Sequence, residues 1–554
     1  MFDARKYQPL TTPDFSARTW PQRELDRAPV WCSVDLRDGN QALAEPMGHE
    51  RKLRLWDKLV AIGFKEIEVG FPAASQTDFD FVRFLVEERR IPDDVTIQVL
   101  TQARESLIKR TVESLRGARR AIVHLYNSTN PLQRRVVFRM GRAEVRDLAV
   151  RGARQVMEHA AEVPDTEIVL EYSPESFSAT ELDFAVEVVD AVADAWNPSR
   201  ERKMIVNLPA TVESSTPNVY ADQIEWMHTH LRRRDQIVLS VHTHNDRGCA
   251  VAAAELAMLA GAERVEGTLF GNGERTGNTD LVTVALNLYS QGISPGLDFS
   301  DLPGLVKTAE ACNQMPVPAR QPYAGELVFT AFSGSHQDAI AKGVAARVRE
   351  PGGLWEVPYL PIDPADVGRA YEPVIRINSQ SGKSGVSYVL DHVFGYRVPK
   401  ELAVELSGRV QEITDATGKE LAPAEVLDIF ERTYLAASGR FGLADYQVEH
   451  KGERRCQVSA RVADTGAEVA VRGEGSGPID AFVAAMVAHF GKPAGVVDYS
   501  EHAMGGGADA EAVAYVRLEA EGGRRAFGVG RDRDIVKASL VAVLRALNVV
   551  IATT

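Results

Sequence analysis

One pattern dominates the first half of the chain. Between about residues 29 and 280, short runs rich in β-branched and apolar residues alternate eight times with longer amphipathic stretches. The runs are VWCSVDL, FKEIEVG, VTIQVL, RAIVHLY, TEIVLEY, KMIVNLP, QIVLSVH and RVEGTLF. Parallel strands need a crossover of about a dozen or more residues between them, usually a helix. The pattern therefore predicts eight βα units, which form either a closed parallel barrel or a long open doubly wound sheet.

Polar residues placed where the runs end distinguish these two folds. Asp38 follows the first run, Glu175 ends the fifth, and His242 and His244 end the seventh. Barrels of the (β/α)₈ type collect such residues from distant parts of the chain at the carboxyl ends of their strands. No G-x-G-x-x-G follows the first run, so an open dinucleotide-binding sheet has no support there. We therefore predict an α/β chain that begins with a TIM barrel.

The rest of the chain has a different character. Residues 326–440 predict short helices and loops broken by Gly and Pro, and they include the segment NSQSGKSG. This composition is typical of a mostly helical connecting region that buries no large core by itself. We expect an N-terminal arm over 1–28, the barrel over 29–325 and the connecting region over 326–440.

From about residue 441 the sequence repeats itself. Three strand-like runs, a Gly-x-Gly pair and an apolar helical stretch occur twice, and the pairs that begin at Gly473 and Gly528 lie 55 residues apart. A repeat of this kind predicts a duplicated βββα domain over 441–554. We interpret the two Gly-x-Gly pairs as turns, and the seam between like units is a common place for a small ligand.

Composition and charge exclude several classes of protein. The chain has 63 Lys and Arg against 77 Asp and Glu, and this net charge of −14 argues against a general nucleic-acid binder. The four cysteines are widely spaced and form no C-x-x-C pair, which favours a reducing compartment. The charged N-terminus does not resemble a secretory signal, and no apolar run approaches the ~18–20 residues that span a bilayer. We expect a cytoplasmic protein that binds neither membranes nor nucleic acid.

The strongest chemical signal is the H-x-H at the end of the seventh run. Side chains at i and i+2 of a strand point to the same face, so the imidazoles of His242 and His244 share one space. In a closed barrel the first, seventh and eighth strands are neighbours, and Asp38 can add a carboxylate while Asn278 adds an amide oxygen. This set predicts a divalent ion with open positions, and Mg²⁺, Mn²⁺ and Zn²⁺ all suit it.

An open divalent ion suggests a reaction class. Such an ion can hold a 2-oxo acid through its carboxylate and carbonyl oxygens and polarise the carbonyl. Arg37 can neutralise charge on the same substrate. Glu175 and Glu274 are candidates for a base, because a carboxylate in a partly dry mouth has a raised pKa. For Glu274 the adjacent Arg275 makes an ordinary ion pair an equally good explanation.

Three segments carry a resemblance to a known family. VDLRDGNQAL, VHTHND and EGTLFGNGERTGN together resemble the 2-isopropylmalate synthase family in its longer bacterial and fungal type, within the metal-dependent Claisen-condensing TIM barrels. The resemblance covers nearly the whole chain, including NSQSGKSG and the duplicated domain. It implies condensation of acetyl-CoA with 3-methyl-2-oxobutanoate and thioester hydrolysis to 2-isopropylmalate and CoA. This is the first committed step of leucine biosynthesis, and the resemblance implies inhibition by leucine at the C-terminal domain.

The resemblance also implies roles for individual residues. The metal ligands would be Asp38, His242 and His244, with Asn278 beside them. The oxo acid would be held by Arg37 and Thr211, and its side-chain pocket lined by His124, Ser173 and Asn207. Around the acetyl group the resemblance places Glu175, His336 and Tyr371. In the family the last two come from the partner subunit's connecting region, which implies a homodimer with a swapped connecting region.

Other functions remain open at this stage. Homocitrate synthase and citramalate synthase differ mainly in the oxo acid, and sequence physics does not resolve a methyl group. A lyase or aldolase of the same superfamily would run the carbon–carbon bond in reverse, and the long C-terminal domain argues against it. A metal hydrolase also uses H-x-H, usually on the first strand rather than the seventh. A non-catalytic amino-acid sensor would not need the polar residues at the barrel mouth.

Overall fold

The computed structural model describes residues 17–331, 333–349, 354–371, 382–417, 421–436, 439–451, 455–505 and 509–551. The chain divides into two compact units. The first contains the described residues up to 329 together with 362–370, and the second contains 330–361 and the described residues from 371 onward. No helix in the described ranges has the length and apolar character needed to cross a membrane.

The first unit is a closed barrel of eight parallel strands in chain order, with β1 paired to β8. This confirms the predicted TIM barrel and rules out the open sheet. The strands are β1 (Val30–Ser33), β2 (Glu66–Gly70), β3 (Thr96–Gln102), β4 (Arg120–Ser128), β5 (Glu167–Glu175), β6 (Met204–Ala210), β7 (Ile237–Thr243) and β8 (Arg264–Gly267).

A helix follows each strand and covers the barrel. These helices are α1 (His49–Ile62), α2 (Gln76–Glu87), α3 (Glu105–Ser114), α4 (Arg142–Ala160), α5 (Leu182–Trp196), α6 (Pro217–His230), α7 (Ala250–Leu259) and α8 (Leu281–Ser290), with α9 (Leu302–Asn313) after them. In α1 the apolar spacing buries Leu55, Trp56 and Leu59 on one face. The helix ends at Gly63, whose φ of 113° is a left-handed conformation that glycine adopts easily.

The second unit begins with helices. They are α10 (Gly334–Arg349), α11 (Gly382–Tyr388), α12 (Lys400–Thr417) and α13 (Pro423–Phe430). The first half of NSQSGKSG, residues 378–381, lies outside the described residues. Apolar side chains of 386–434 share one core with Val513, Tyr515, Phe527 and Val529 of the C-terminal domain. This matches the expectation that the connecting region buries no large core alone.

The C-terminal domain is duplicated as predicted. Its strands are β9 (Phe441–His450), β10 (Cys456–Asp464), β11 (Ala467–Gly475), β12 (Ala494–Met504), β13 (Glu511–Ala520) and β14 (Arg524–Asp532), and its helices are α14 (Pro478–Phe490) and α15 (Ile535–Ile551). They form two antiparallel sheets, in the orders β11-β10-β9 and β12-β13-β14. The two halves bury one apolar core between them.

The prediction that the Gly-x-Gly pairs form turns is wrong. Gly473 and Gly475 lie within β11, and Gly528 and Gly530 lie within β14. A Cβ on Gly473 would come within 2.3 Å of the Ala481 carbonyl oxygen, and one on Gly528 would come within 2.0 Å of an equivalent oxygen in α15. The glycines are there because each strand passes directly against the backbone of its own half's helix.

Candidate active site

Three candidate metal ligands meet at the carboxyl ends of the strands. Asp38 lies in a tight π-helical turn, Asp35–Gly39, that directly follows β1, and the two histidines come from the end of β7. The Asp38 Oδ2 atom lies 3.5 Å from His242 Nε2 and 3.9 Å from His244 Nε2. All three side chains are buried, and one ligand atom of each lies within 4.8 Å of the others. The spacing suits three groups that surround a single cation.

Several buried polar atoms of these residues and of Asn278 have no hydrogen-bond partner in the part of the chain that the structure describes, as expected for atoms that bind a cation. Asp38 Oδ2, His244 Nδ1 and Asn278 Oδ1 are buried and have no hydrogen-bond partner within the described residues. An unpaired buried polar atom costs about 1–3 kcal/mol, so each of these atoms would be stabilised by a partner such as a cation. The Asn278 backbone pairs with that of His244 in an isolated β-bridge, which brings the amide beside the histidines. A divalent ion between Asp38, His242 and His244 would give Asp38 Oδ2 a partner, and mixed oxygen and nitrogen donors of this kind suit such an ion.

The two histidines have opposite electrostatic surroundings. Burial alone lowers the pKa of His242, but the neighbouring carboxylates of Asp38 and Glu266 outweigh it and raise that pKa to about 9. Burial and the neighbouring His242 lower the pKa of His244 to about 4, so that ring is neutral near pH 7. Burial also opposes the charge of Asp38, yet Arg37 and the nearby ring of His242 hold the pKa of its carboxyl well below the usual range. Asp38 is therefore ionised at neutral pH and offers a carboxylate to a cation.

Arg37 is fixed next to the ligand triad by two carboxylates. Its Nε donates to Glu68 Oε2 at 2.5 Å and its Nη1 donates to Asp38 Oδ1 at 2.7 Å. Burial opposes its charge, but Glu68 and Asp38 raise the pKa of Arg37 above its usual value. A guanidinium has five N–H donors, so these two bonds leave donors for a substrate carboxylate or alkoxide.

The residues expected to line the oxo-acid pocket form a connected group. His124 Nε2 lies 2.7 Å from Ser173 Oγ, and Asn207 Nδ2 donates to the same hydroxyl at 3.1 Å. All three are buried, and they come from β4, β5 and β6, which are consecutive strands. The structure thus brings together three residues that are far apart in the chain.

These groups line one cavity of about 280 Å³ at the barrel mouth. Its walls also include Phe71, Leu100 and Tyr126, so one side is apolar and aromatic. Thr211 lies in the wall, where its Oγ1 accepts a hydrogen bond from the Ser176 backbone N–H at 2.9 Å. Such a mixture of apolar surface with a few convergent polar groups is typical of a site for a small substrate.

The two candidate bases have different surroundings. Glu175 ends β5 in the same cavity, and burial raises the pKa of its carboxyl although a hydrogen bond from Ser128 opposes the shift. Glu274 lies across the mouth, where its Oε1 accepts a weak bond of 3.4 Å from Gln41 Nε2. Arg275, the ion-pair partner that the sequence suggests for Glu274, donates from Nε to Asp246 Oδ1 at 2.6 Å. Of the two glutamates, Glu175 has the environment that suits a base.

The chain matches known proteins along almost its whole length. An HMGL-like family model matches residues 28–308, an alpha-isopropylmalate synthase post-catalytic domain model matches 326–391, and a LeuA allosteric (dimerisation) domain model matches 420–551. The 2-isopropylmalate synthase of Ralstonia nicotianae is 57% identical over 547 residues, which cover 98% of this chain and 94% of that protein. That of Azoarcus sp. is 58% identical over 535 residues, covering 96% and 92%.

The chain belongs to the 2-isopropylmalate synthase family. The family resemblance drawn from the three sequence segments is therefore confirmed. Among solved structures, a hydroxymethylglutaryl-CoA lyase from Pseudomonas aeruginosa aligns with 54% of this chain and 97% of its own, at 20% identity and a TM-score of 0.44. That likeness is too distant to bear on the site.

Two predicted site residues of this synthase family member lie in the second unit. His336 is in α10, exposed, and its ring stacks on Tyr359 with centroids 4.0 Å apart. Tyr371 is half-buried, its hydroxyl has no hydrogen-bond partner among the residues that the structure describes, and burial raises the pKa of that phenol to about 12. Their place at an active site stays a prediction.

Sequence reasoning missed a layer of buried charge inside the barrel. Glu68, Gln98, Arg264 and Glu266 are fully buried on β2, β3 and β8, just below the ligand triad. Arg264 Nη1 donates to Glu266 Oε1 at 2.9 Å, and Gln98 Nε2 donates to Glu68 Oε1 at 3.1 Å. A signal was available, because charged residues at i and i+2 of a buried strand, such as Arg264 and Glu266, point together into the barrel interior.

Proposed function

We propose that the chain catalyses the condensation of acetyl-CoA with 3-methyl-2-oxobutanoate, followed by thioester hydrolysis to 2-isopropylmalate and CoA. This would be the first committed step of leucine biosynthesis. The observation that carries the proposal is the convergence of Asp38, His242 and His244 on one space beside a cavity that also holds Arg37 and Glu175. The family membership supports the same activity over homocitrate or citramalate synthesis.

The cavity has a group for each end of the oxo acid. Arg37 is held rigidly by Glu68 and Asp38, so its remaining donors are preorganised for the carboxylate and the carbonyl oxygen. Thr211 lies in the same wall and can donate to the carboxylate. The branched side chain would lie against His124, Ser173 and Asn207. Mg²⁺, Mn²⁺ or Zn²⁺ held by Asp38, His242 and His244, with Asn278 beside them, would act as a Lewis acid on the keto carbonyl.

Glu175 supplies the base in this proposal. One of its carboxylate oxygens removes a proton from the methyl group of acetyl-CoA, and the resulting enolate carbon attacks the keto carbon. Arg37 stabilises the negative charge that develops on the carbonyl oxygen. A water molecule then cleaves the thioester and releases CoA. The proposed catalytic set around the acetyl group also includes His336, Tyr371 and Glu274, which lies at the other side of the mouth.

One assay tests this activity against its nearest alternatives. Thiol release from acetyl-CoA is measured with 3-methyl-2-oxobutanoate, pyruvate and 2-oxoglutarate, each with and without added divalent metal. We expect the highest kcat/KM with 3-methyl-2-oxobutanoate and loss of turnover after chelation. A higher kcat/KM with pyruvate would indicate a citramalate synthase, and one with 2-oxoglutarate a homocitrate synthase.

We further propose that leucine binds the C-terminal domain and inhibits the enzyme. A cavity of about 470 Å³ lies between α14 and β12, and its walls include Ile479, Val483, Val487 and Val496. Asp480 is also in the wall, so an aliphatic surface and a carboxylate face the same space. That combination suits the isobutyl group and the ammonium of leucine. The match of 420–551 to the allosteric domain model supports a regulatory ligand here.

The assembly we propose is a cytoplasmic homodimer in which the connecting region of one chain completes the active site of the other. The division of the chain at 1–28, 29–325, 326–440 and 441–554 is part of this proposal. Leu354 and Tyr359 of the connecting region have 84% and 61% of their surfaces exposed, as expected for side chains that a partner covers.

Mixing two inactive variants tests the swap. A His336→Ala chain keeps its barrel, and a His242→Ala chain keeps its connecting region, so their heterodimer would contain one complete site. We expect thiol-releasing activity to return when the two are unfolded, mixed and refolded together. The matched control is a mixture of His242→Ala with Glu175→Gln, both barrel variants, which should stay inactive. Absence of rescue in the first mixture, with dimers present, would rule out the swapped site.

A further inference from the structure

The buried charge layer has a single carboxylate at its centre. Glu266 on β8 has no exposed surface. Its Oε1 accepts hydrogen bonds from Gln98 Nε2 and Arg264 Nη1, both at 2.9 Å. Its Oε2 accepts from His242 Nδ1 at 2.8 Å and from Asn207 Nδ2 at 3.2 Å. A carboxylate offers about four acceptor positions, so every one of them is used.

These four bonds lock the carboxylate in place. Any rotation of the fully buried Glu266 side chain would break at least two of them. Gln98 and Arg264 hold one oxygen from the barrel floor, and the other oxygen therefore has a fixed position beneath the active site. Whatever binds that second oxygen is oriented by it.

One group on the second oxygen is a candidate metal ligand. When His242 donates from Nδ1 to Glu266, its Nε2 is the nitrogen left to bind a cation, and it lies 3.5 Å from Asp38 Oδ2. A carboxylate behind a ligating histidine both fixes the ring and makes it a stronger donor. The other group is Asn207, a wall of the cavity proposed for the oxo acid.

We propose that Glu266 is a positioning residue that sets the affinity of the site for its divalent ion through His242 and holds the wall of the oxo-acid pocket through Asn207. The second part of this inference rests on the proposed function, while the first concerns metal binding alone. Glu266 touches neither the ion nor the substrate.

The donor pattern explains why a carboxylate is required. A glutamine at 266 has the same shape, but it presents an amide N–H₂ on one side. In one orientation that group faces Gln98 and Arg264, and in the other it faces His242 and Asn207. In either orientation the amide N–H₂ faces two N–H donors, and the hydrogen bonds that those donors make to Glu266 are lost. We therefore expect Glu266→Gln to weaken metal binding even though it removes no atom from the packing.

The test measures binding of Mn²⁺ alone to the metal-free full-length protein by titration calorimetry. We expect Glu266→Ala to raise the dissociation constant about 10–100-fold, the range found for partners of ligating histidines, and Glu266→Gln to raise it about 10-fold. The matched control is Glu171→Gln. Glu171 is also fully buried in this layer, on β5, where its Oε2 lies 3.4 Å from Arg264 Nη2 and its Oε1 lies 3.5 Å from His124 Nε2, and within the described residues no hydrogen bond joins it to Asp38, His242 or His244. Its substitution should leave the dissociation constant unchanged.

Two results would overturn the proposal. Either Glu266→Ala binds Mn²⁺ as tightly as the natural protein, or Glu171→Gln weakens binding to the same extent as Glu266→Gln. Thermal unfolding of the metal-free variants shows whether they are folded. If neither Glu266 variant folds, ¹⁵N-histidine NMR of the natural protein decides instead, because the proposal requires a proton on His242 Nδ1 and a metal-dependent shift at Nε2. A proton on Nε2 with metal bound would contradict it.

Kinetics separate this inference from the proposed reaction. At saturating metal, we expect Glu266→Gln to raise KM for 3-methyl-2-oxobutanoate more than it lowers kcat, because Asn207 loses its anchor while Glu175 and Arg37 are untouched. If the natural protein releases no thiol from acetyl-CoA with any oxo acid, the proposed function fails while the metal titration still stands. If it is active and Glu266→Ala binds metal normally, the inference fails alone.

Discussion

The barrel and the C-terminal domain are both built by repetition, but the repeats place polar residues in opposite ways. The eight βα units bring buried charged and polar side chains such as Asp38, His242 and Glu266 into one interior. The two βββα units bury a mostly aliphatic core, and a cavity beside it combines apolar walls with a carboxylate. Polar convergence suits catalysis and an aliphatic cavity suits a regulatory ligand, so variants in one region should leave the function of the other intact.

The largest effect is expected from His242→Ala. It removes a ligand from the proposed cation and leaves the Glu266 carboxylate without its partner. We expect kcat/KM for thiol release to fall about 10⁴-fold, since the Lewis acid contributes several kcal/mol to the transition state. Leucine binding, measured by calorimetry, should be unchanged. Loss of leucine binding as well would break the proposed separation of the two regions.

Glu175→Gln is expected to have the next largest effect. Removing a general base typically costs about 10²–10⁴-fold in kcat. Unlike His242→Ala, this variant should bind Mn²⁺ with the affinity of the natural protein, because Glu175 is not a proposed ligand. A Glu175→Gln enzyme that keeps its kcat would remove Glu175 from the mechanism.

The pH dependence offers a separate test of Glu175. Glu175 must be deprotonated to act as a base, and burial raises the pKa of its carboxyl. Activity should therefore rise as the pH increases through a value above the ordinary range for glutamate, and it should be low below that value. In the pH profile of kcat/KM this acidic limb should disappear in the residual activity of Glu175→Gln. A limb that persists in the variant belongs to another group.

In the C-terminal domain, Ala484→Phe should affect regulation alone. Ala484 lines the cavity proposed for leucine and is exposed, so a phenyl ring can fill the space without disturbing the core. We expect the leucine concentration for half inhibition to rise at least about 10-fold, since roughly 1.4 kcal/mol of lost binding suffices, with kcat unchanged. The control is Ala488→Phe, one turn further along α14 and also exposed. Equal effects of both variants would place leucine elsewhere.

The smallest effect is expected from Gly528→Ala. A Cβ there would lie 2.0 Å from the Ala542 carbonyl oxygen, so β14 and α15 must move apart. Such overpacking costs about 1–3 kcal/mol. The unfolding transition of this domain should shift to lower temperature while kcat at 25 °C stays the same. Gly477→Ala is the control, because a Cβ at Gly477 meets nothing within 4 Å.

Point variants test the C-terminal domain better than a deletion does. The connecting region packs its apolar side chains against Tyr515, Phe527 and neighbouring residues of β13 and β14. Removing residues 441–554 would expose that surface and invite aggregation. Loss of leucine inhibition in such a truncated protein would therefore not identify the binding site.

Much of the barrel could be predicted from the sequence, because the patterns that determine its strands and helices are local. Strand periodicity, helix amphipathicity and the polar residues at strand ends are each visible in short windows, and together they led to Asp38, His242 and His244. What could not be predicted depends on pairs distant in the chain. The sequence shows that Glu266 and Arg264 share one face of β8, but only closure of the barrel places Glu266 against Gln98, 168 residues away in the chain.

The prediction that the Gly-x-Gly pairs form turns was wrong for a related reason. Closely spaced glycines are common in turns, and a single sequence does not distinguish a turn from a strand that passes close to a helix. Here glycine is required because Gly528 lies directly against the α15 backbone, and that contact forms only in the folded structure. The repeat itself was visible because duplication leaves the same order of elements twice.

The central claim is that one cation lies between Asp38, His242 and His244. Anomalous diffraction from crystals grown with Mn²⁺ tests it most directly, with data collected at the manganese edge. The account predicts one strong peak per chain, about 2.0–2.3 Å from a carboxylate oxygen of Asp38 and from one nitrogen of each imidazole. An active enzyme whose only manganese peak lies away from these three side chains would contradict it.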